Sequence, residues 1–327
     1  MGLRFPYLST KWTCKGKHIF ITGGSQGLGL ALAELVASQG ADVTICSRSK
    51  DKLEEAVQRI KKSAKSDSQK IAYTIADVST FEGARQAIET SMNITSSSSS
   101  SSHSVGRIPD TIFCCAGASK PGFFIEQTEE DFQSGFKTIY MTALSTSHAA
   151  AKLFVKKGKR DGKIVLVSST LGLMGLVGYS QYSPMKFALR GLAECLRSEF
   201  QLYDISVHAY FPGTILSPGF QQEQKTKPEI TKKLEGGESD GLTPEQCARG
   251  LLKGIEADRF FITTDFLSEL FRAASATGGS IPGNNWILDR IKSFIALIGL
   301  PVWRLTEERV TIRGHREQHQ KDVVSRL

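Results

Sequence analysis

Tyr182 and Lys186 stand four residues apart in Tyr-Ser-Pro-Met-Lys, thirteen residues beyond Ser169, and a glycine-rich turn, Thr22-Gly-Gly-Ser-Gln-Gly-Leu-Gly29, lies far upstream. A ketone that becomes an alcohol takes a hydride on carbon and a proton on oxygen. A phenol at its reference pKa of about 10 holds its proton too tightly to exchange it in both directions near neutrality. An ammonium one helical turn away favours the phenolate and lowers that pKa. The spacing therefore predicts Tyr182 as the acid and Lys186 as the group that tunes it. Ser169, just past the apolar run at 163–167, is the expected donor to the substrate oxygen, with Ser168 as its competitor. A tyrosine and lysine four apart recur by chance on many helices, so the weight comes from the conjunction.

The upstream turn supplies the second half. Ile19-Phe-Ile-Thr22 reads as an apolar strand that runs into Gly23-Gly24-Ser25-Gln26-Gly27-Leu28-Gly29 and then into the helical pattern from Leu30 to Val36. Glycine lets the backbone turn sharply and approach a pyrophosphate, which the amides at the helix start then meet. An NAD site places an acid at the end of the next strand for the ribose 2′-hydroxyl. Here that place holds Ser47-Arg48-Ser49-Lys50, with Lys52 just beyond. Arg48 can fork onto a 2′-phosphate and Lys52 adds point charge, so NADPH is the expected cofactor.

These residues need a frame. β-branched runs at 18–22, 42–46, 70–75, 110–114, 163–167, 205–210 and 259–263 alternate with helical patterns at 28–38, 50–62, 81–92, 129–155 and 180–202. The alternation predicts an α/β fold: a Rossmann-type doubly wound parallel sheet of about seven strands with helices on both faces and a C-terminal helical extension. The expected partition is an N-terminal segment 1–15, an NADP-binding domain 16–265 and an extension 266–327. A serine run at 96–102 cannot bury apolar area against its ordering entropy and predicts a flexible insert at 95–105.

Composition narrows the partners. A chain of 327 residues, 40% apolar with formal net charge +8, suits a soluble α/β protein, and no segment reaches the roughly 20 apolar residues of a spanning helix. The basic residues are spread along the chain, densest at the C-terminal tail, and no nucleic-acid motif accompanies them, so a nucleic-acid partner is not expected. The six cysteines show no C-x-x-C spacing and read as reduced packing residues. The N-terminus lacks the apolar core of a secretory signal, which predicts a cytosol-facing location and makes Asn93-Ile-Thr95 a chance glycosylation match.

The spacing G-x-x-x-G-x-G after Thr22, with Ser169 and Tyr182-x-x-x-Lys186 downstream, resembles the short-chain dehydrogenase/reductase family. That resemblance implies further cofactor residues. Asp77 and Val78 would hold the adenine, and Lys186 and Tyr182 would line the nicotinamide ribose. Gly117 would pack close to the cofactor, and Pro212, Gly213, Ile215 and Ser217 would follow the nicotinamide carboxamide. It also implies a homo-oligomer, dimer or tetramer, formed through the long fourth and fifth helices. Two departures stand out. Cys114-Cys115-Ala116-Gly117 replaces the family's Asn-Asn-Ala-Gly, and Ile139 falls where the family has an asparagine that braces the helix and a relay water. The second predicts a proton relay that is re-routed or slowed.

Within the family, Ser168 to Glu194, Tyr210 to Phe220 and Phe260 to Thr264 are similar to 3-ketodihydrosphingosine reductases, over roughly residues 16–280. This implies NADPH-dependent reduction of a long-chain keto-sphingoid base at the cytosolic face of the endoplasmic reticulum membrane. Two other readings stay open: a steroid or retinoid carbonyl reductase, and an NADPH-binding scaffold or sensor with feeble turnover. Residues 286–303 carry a ten-residue apolar run from Phe294, tryptophans at both ends, basic flanks and Pro301. Too short to span, the run predicts either a helix lying on the membrane surface or one packed on protein.

Overall fold

The run His18-Ile-Phe-Ile-Thr22 is apolar on both of its faces, a pattern that suits a strand covered on both sides. In the computed structural model it is β1 (His18–Thr22), every residue of it buried. The structure describes residues 12–95, 106–235 and 241–276, and beyond them 302, 305–306, 309–314, 317 and 321.

β1 is followed by α1 (Gly27–Ser38), β2 (Asp42–Ser47), α2 (Lys50–Ser63), β3 (Ile71–Ile75), α3 (Phe81–Thr95) and β4 (Thr111–Cys114). Next come α4 (Glu129–Gly135), a π-helical turn (Phe136–Met141), α5 (Thr142–Lys156), β5 (Lys163–Val167), α6 (Ser183–Glu199) and β6 (Ser206–Tyr210). α7 (Pro218–Gln224), α8 (Glu229–Glu235), α9 (Pro244–Glu256), β7 (Phe261–Ile262), α10 (Phe266–Ala276) and α11 (Arg309–Gly314) complete the described elements. The seven strands form one parallel sheet in the order β3-β2-β1-β4-β5-β6-β7. One core lies between the sheet and α1, α2 and α9, the other between the sheet and α3, α5 and α6. Strand order reverses between β1 and β4, the place where an open parallel sheet offers a ligand crevice outside its carboxyl edge.

The expected sheet is the observed one, with three local differences. The single helix expected at 129–155 is interrupted by the π turn, at whose end the Thr142 hydroxyl lies against the carbonyls of Thr138 (3.0 Å) and Ile139 (3.3 Å). The helix expected from 180 starts at Ser183, with proline in its first turn and Tyr182 as the N-cap. The last strand shrinks to two residues. Nearly all of the 286–303 stretch, and the serine-rich insert past Thr95, fall outside the described residues. Among the described residues no helix is long and apolar enough to cross a membrane.

Two buried histidines sit in the sheet. His18 places Nδ1 3.2 Å from the Arg107 carbonyl and Nε2 3.0 Å from the Thr44 hydroxyl. His208 places Nδ1 2.8 Å from the Arg259 carbonyl, and its Nε2 is buried with no partner among the described residues. Burial lowers both pKa values to about 4 from an ordinary 6.5. Each ring is therefore neutral in the folded state and takes a proton more readily once unfolded. Their contribution is complete above pH 6.5 and is lost as pH falls from 6.5 towards about 4. The thermal midpoint should fall steeply across that window, and His208→Asn should show a lower midpoint but a shallower fall. Parallel curves for the two proteins, read by circular dichroism melts, would contradict the assignment.

Candidate active site

The glycine turn leaves β1 at the crevice. Gly23 has φ +67°, and a Cβ there would come within 2.8 Å of the Ala116 Cα, so only glycine lets the loop after β1 lie against the loop after β4. A Cβ on Gly29 would strike the Gly23 carbonyl. Gln26, the N-cap of α1, makes no side-chain cap, and no acid stands in the first turn. The amides of Gly27, Leu28 and Gly29 therefore begin the helix uncapped, with Ser25 beside them and Ser217 packed over Gly27. Such a start accepts an anion, and these residues fit the pyrophosphate of a dinucleotide.

The end of β2 is basic. Arg48 is exposed and makes no hydrogen bond or ion pair among the described residues, while Lys52 Nζ donates to Gln26 Oε1 at 3.3 Å and so spans from α2 to the turn. Ser47 Oγ is buried there without a partner among the described residues. Asp77 accepts from the Ser79 hydroxyl at 2.6 Å and the Ser79 amide at 3.0 Å, with Lys137 at 3.4 Å. The Ser79 hydroxyl, above all, holds the Asp77 carboxyl below its usual range. Val78 is buried, and its carbonyl accepts from Ser145.

Past β5 the two serines separate by role. Ser168 Oγ is buried and donates to the Lys186 carbonyl at 2.9 Å, which ties the strand end to α6. Ser169 Oγ accepts from the Leu171 amide at 3.2 Å and acts on the neighbouring Tyr182 phenol to lower its pKa. Lys186 departs from expectation. Its Nζ donates to the Val167 carbonyl at 2.9 Å and lies 5.3 Å from the centre of the Tyr182 ring. Burial raises the Tyr182 pKa, the Glu223 charge raises it further, and the Ser169 hydrogen bond opposes both. Burial also lowers the Lys186 pKa to about 8. Withdrawn from water together, the two groups keep the phenol protonated; the ammonium spends its charge on a carbonyl rather than on the phenol oxygen.

Ala116 makes the close approach to Gly23, and Gly117 beside it is exposed, where a Cβ would meet only the Thr138 carbonyl at 3.9 Å. Ile139 is buried in the core, and the Thr142 hydroxyl, 3.1 Å from the Ala116 carbonyl, joins the π turn to the loop after β4. Beyond β6, the Pro212 carbonyl accepts from the Thr170 amide at 2.8 Å, and the Gly213 amide donates to Asp265 at 3.2 Å. Ile215 bridges to Leu242.

Sequence reading missed the cluster next to Tyr182. The Lys227 side chain is wholly buried and pairs with Glu223 at 3.1 Å and with Glu235. Tyr179 shares its hydroxyl proton between the same two carboxylates, 2.8 Å from Glu235, and its ring centre lies 5.7 Å from that of Tyr182. The only signal was Glu223 and Lys227 at i, i+4 spacing, which is common on solvated helices.

The profile of the short chain dehydrogenase family matches residues 17–228. The chain belongs to that family. It is an oxidoreductase by this membership. A 3-ketodihydrosphingosine reductase of Cryptococcus neoformans is 36% identical over 319 residues, covering 98% of this chain and 91% of the relative. A 3-ketodihydrosphingosine reductase of Aspergillus fumigatus is 33% identical over 315 residues, covering 89% and 83%. A solved short-chain dehydrogenase/reductase from Burkholderia phymatum in complex with NAD has the same fold, with TM-score 0.68 and 18% identity over 82% of this chain and 94% of that one.

Removing the Lys227 ammonium leaves two carboxylates facing one another, at a cost of about 3–5 kcal/mol for a broken buried pair. Lys227→Met should therefore speed limited proteolysis within 218–235 by roughly tenfold or more, with cleavage elsewhere unchanged. Equal cleavage of both proteins would show that the ammonium does not hold the segment.

Proposed function

We propose that this oxidoreductase reduces the 3-keto group of 3-ketodihydrosphingosine to dihydrosphingosine with NADPH. The substrate rests on one observation: relatives named for that activity match nearly the whole chain, through the loops at the carboxyl edge as well as the sheet. NADPH rather than NADH is supported by Arg48, next to the last residue of β2, and by Lys52 in the first turn of α2, while the strand itself ends on Ser47 and not on an acid. When bound, reduced nicotinamide supplies the hydride to the carbonyl carbon.

The chain's own residues handle the proton. Ser169 donates to the substrate oxygen and orients it towards Tyr182. Tyr182 arrives protonated, since burial and the Glu223 charge hold its pKa up, and delivers that proton as negative charge grows on the oxygen. Lys186, with a pKa near 8, keeps a labile proton close to the ring and restores the phenol after each turnover. The loops after β4 and β6 close the site against water.

Two associations belong to the same reading. The tryptophan-flanked stretch at 286–303 and the basic tail support attachment to the cytosolic surface of the endoplasmic reticulum membrane. Exposed Phe136 and Phe187, on the π turn and α6, support self-association through that face, which a monomer mass by light scattering would remove.

Purified protein with NADPH should oxidise cofactor with 3-ketodihydrosphingosine and far less with steroid or retinoid ketones, followed at the nicotinamide absorbance. In that assay Tyr182→Phe should lose at least about 100-fold in kcat with NADPH affinity nearly unchanged, and Arg48→Ala should weaken NADPH far more than NADH. Comparable turnover in the first variant, or equal losses in the second, would reject those roles. Deletion of 283–327 should leave the protein in the supernatant when anionic vesicles are sedimented; co-sedimentation equal to the full chain's would reject the anchor.

A further inference from the structure

Two loops that leave the carboxyl ends of the neighbouring strands β4 and β5 face each other across a cleft of about 530 Å³. Phe123, Phe124 and Ile125 form one wall, and Leu176 and Val177 form the other. The Gly122 amide donates to the Gly178 carbonyl at 2.9 Å and holds the loops together at the base. Phe124 is 66% and Ile125 91% exposed, so the rim presents contiguous carbon to solvent. Large apolar side chains at that exposure, grouped along one cleft, mark a surface built to be covered.

The covering group is identified by what the cleft adjoins. The same two loops carry Gly117 and Ser169, and the cleft lining continues through Tyr179 and Ser180 to Ser183 and so brackets Tyr182 in the chain. Tyr179 ends the cleft, with its ring against that of Tyr182 and its hydroxyl on Glu223 and Glu235. Two carboxylates against the single Lys227 ammonium leave one negative charge in excess at that end. The cleft therefore runs from a carbon-lined rim to a polar, net anionic end beside the candidate acid. A ligand that matches this polarity has a hydrocarbon tail and a cationic head next to its ketone.

We propose that the cleft between 123–125 and 176–177 seats the alkyl chain of the substrate, with the amino-bearing head turned towards Tyr182. The inference rests on the reading that the substrate is a keto-sphingoid base. The volume falls within the roughly 300–1,000 Å³ of small-molecule sites, and the open rim lets a longer chain continue outward instead of setting a hard length limit.

The test uses the full chain with NADPH and two substrates of identical head, 3-ketodihydrosphingosine and a short-chain analogue that ends before the rim. Phe124→Ser with Ile125→Ser, and separately Val177→Ser, change side chains at the cleft that are exposed and do not carry the fold. KM for the long-chain substrate should rise about tenfold with kcat little changed, while KM for the short analogue moves less than about twofold. A saturated sphingoid base with a photoreactive group on its tail should label wild-type protein within 123–125 or 176–177, read by peptide mass spectrometry. Equal effects on both substrates, no effect on either, or labelling elsewhere would overturn the assignment while leaving keto-sphingoid reduction intact. Loss of vesicle binding or of self-association in the rim variant with an unchanged long-chain KM would give the cleft to a membrane or a second copy and overturn it equally. Should wild-type protein reduce neither keto-sphingoid, the reading of the substrate fails and the inference falls with it.

Discussion

Exclusion of water from Tyr182 and Lys186 sets the character of the site. In water a phenol and an ammonium each titrate about three units above neutral pH, so the phenol is inert and the ammonium fully charged. Burial moves the phenol further up and the ammonium down to about 8, so the uncharged form of each is favoured. The ammonium can be held this way because it retains a fixed polar partner in the Val167 carbonyl, while Ser169 tempers the rise of the phenol. A protonated phenol beside a lysine that releases its proton readily is arranged for delivery to a carbonyl oxygen. It is less suited to taking a proton from an alcohol, which requires the phenolate.

That exclusion depends in turn on backbone packing at the strand-order reversal. Gly23 against Ala116 brings the loop after β1 onto the loop after β4, and Ser217, past β6, lies over Gly27. The anion-accepting start of α1 thus lies in the same crevice as the Ser169–Tyr182 pair. Electrostatics and sterics are linked here: a side chain at Gly23 would push apart the loops whose contact keeps the crevice narrow.

Most of the frame was legible because a strand buried on both faces must be apolar throughout, and such runs flanked by glycine can be located to within a residue or two. The glycine turn, Ser169, Tyr182 and Lys186 were legible because backbone conformation and chemistry restrict those positions to single residue types. The break at 136–141 was not. A π turn adds one residue without removing the apolar periodicity of either flank, and the threonine beside it, whose hydroxyl lies near three carbonyls, resembles any helical threonine in the sequence. Lys227 was hidden for a similar reason: its burial depends on Tyr179 and on two glutamates brought together by the turn between α7 and α8.

The Thr142 arrangement bears on the departure at Ile139. A brace between this helix and the loop after β4 needs a short polar side chain that reaches the Ala116 carbonyl, and it need not come from position 139. A hydroxyl three residues further along lies on the same side of the helix, one turn deeper, and reaches that carbonyl at 3.1 Å. The π turn sets the position from which it does so. With the polar duty moved to Thr142, position 139 is free to contribute an apolar side chain to the core between the sheet and α5. Isoleucine therefore removes an amide from the site without removing the tie that holds the helix to the loop beside Tyr182.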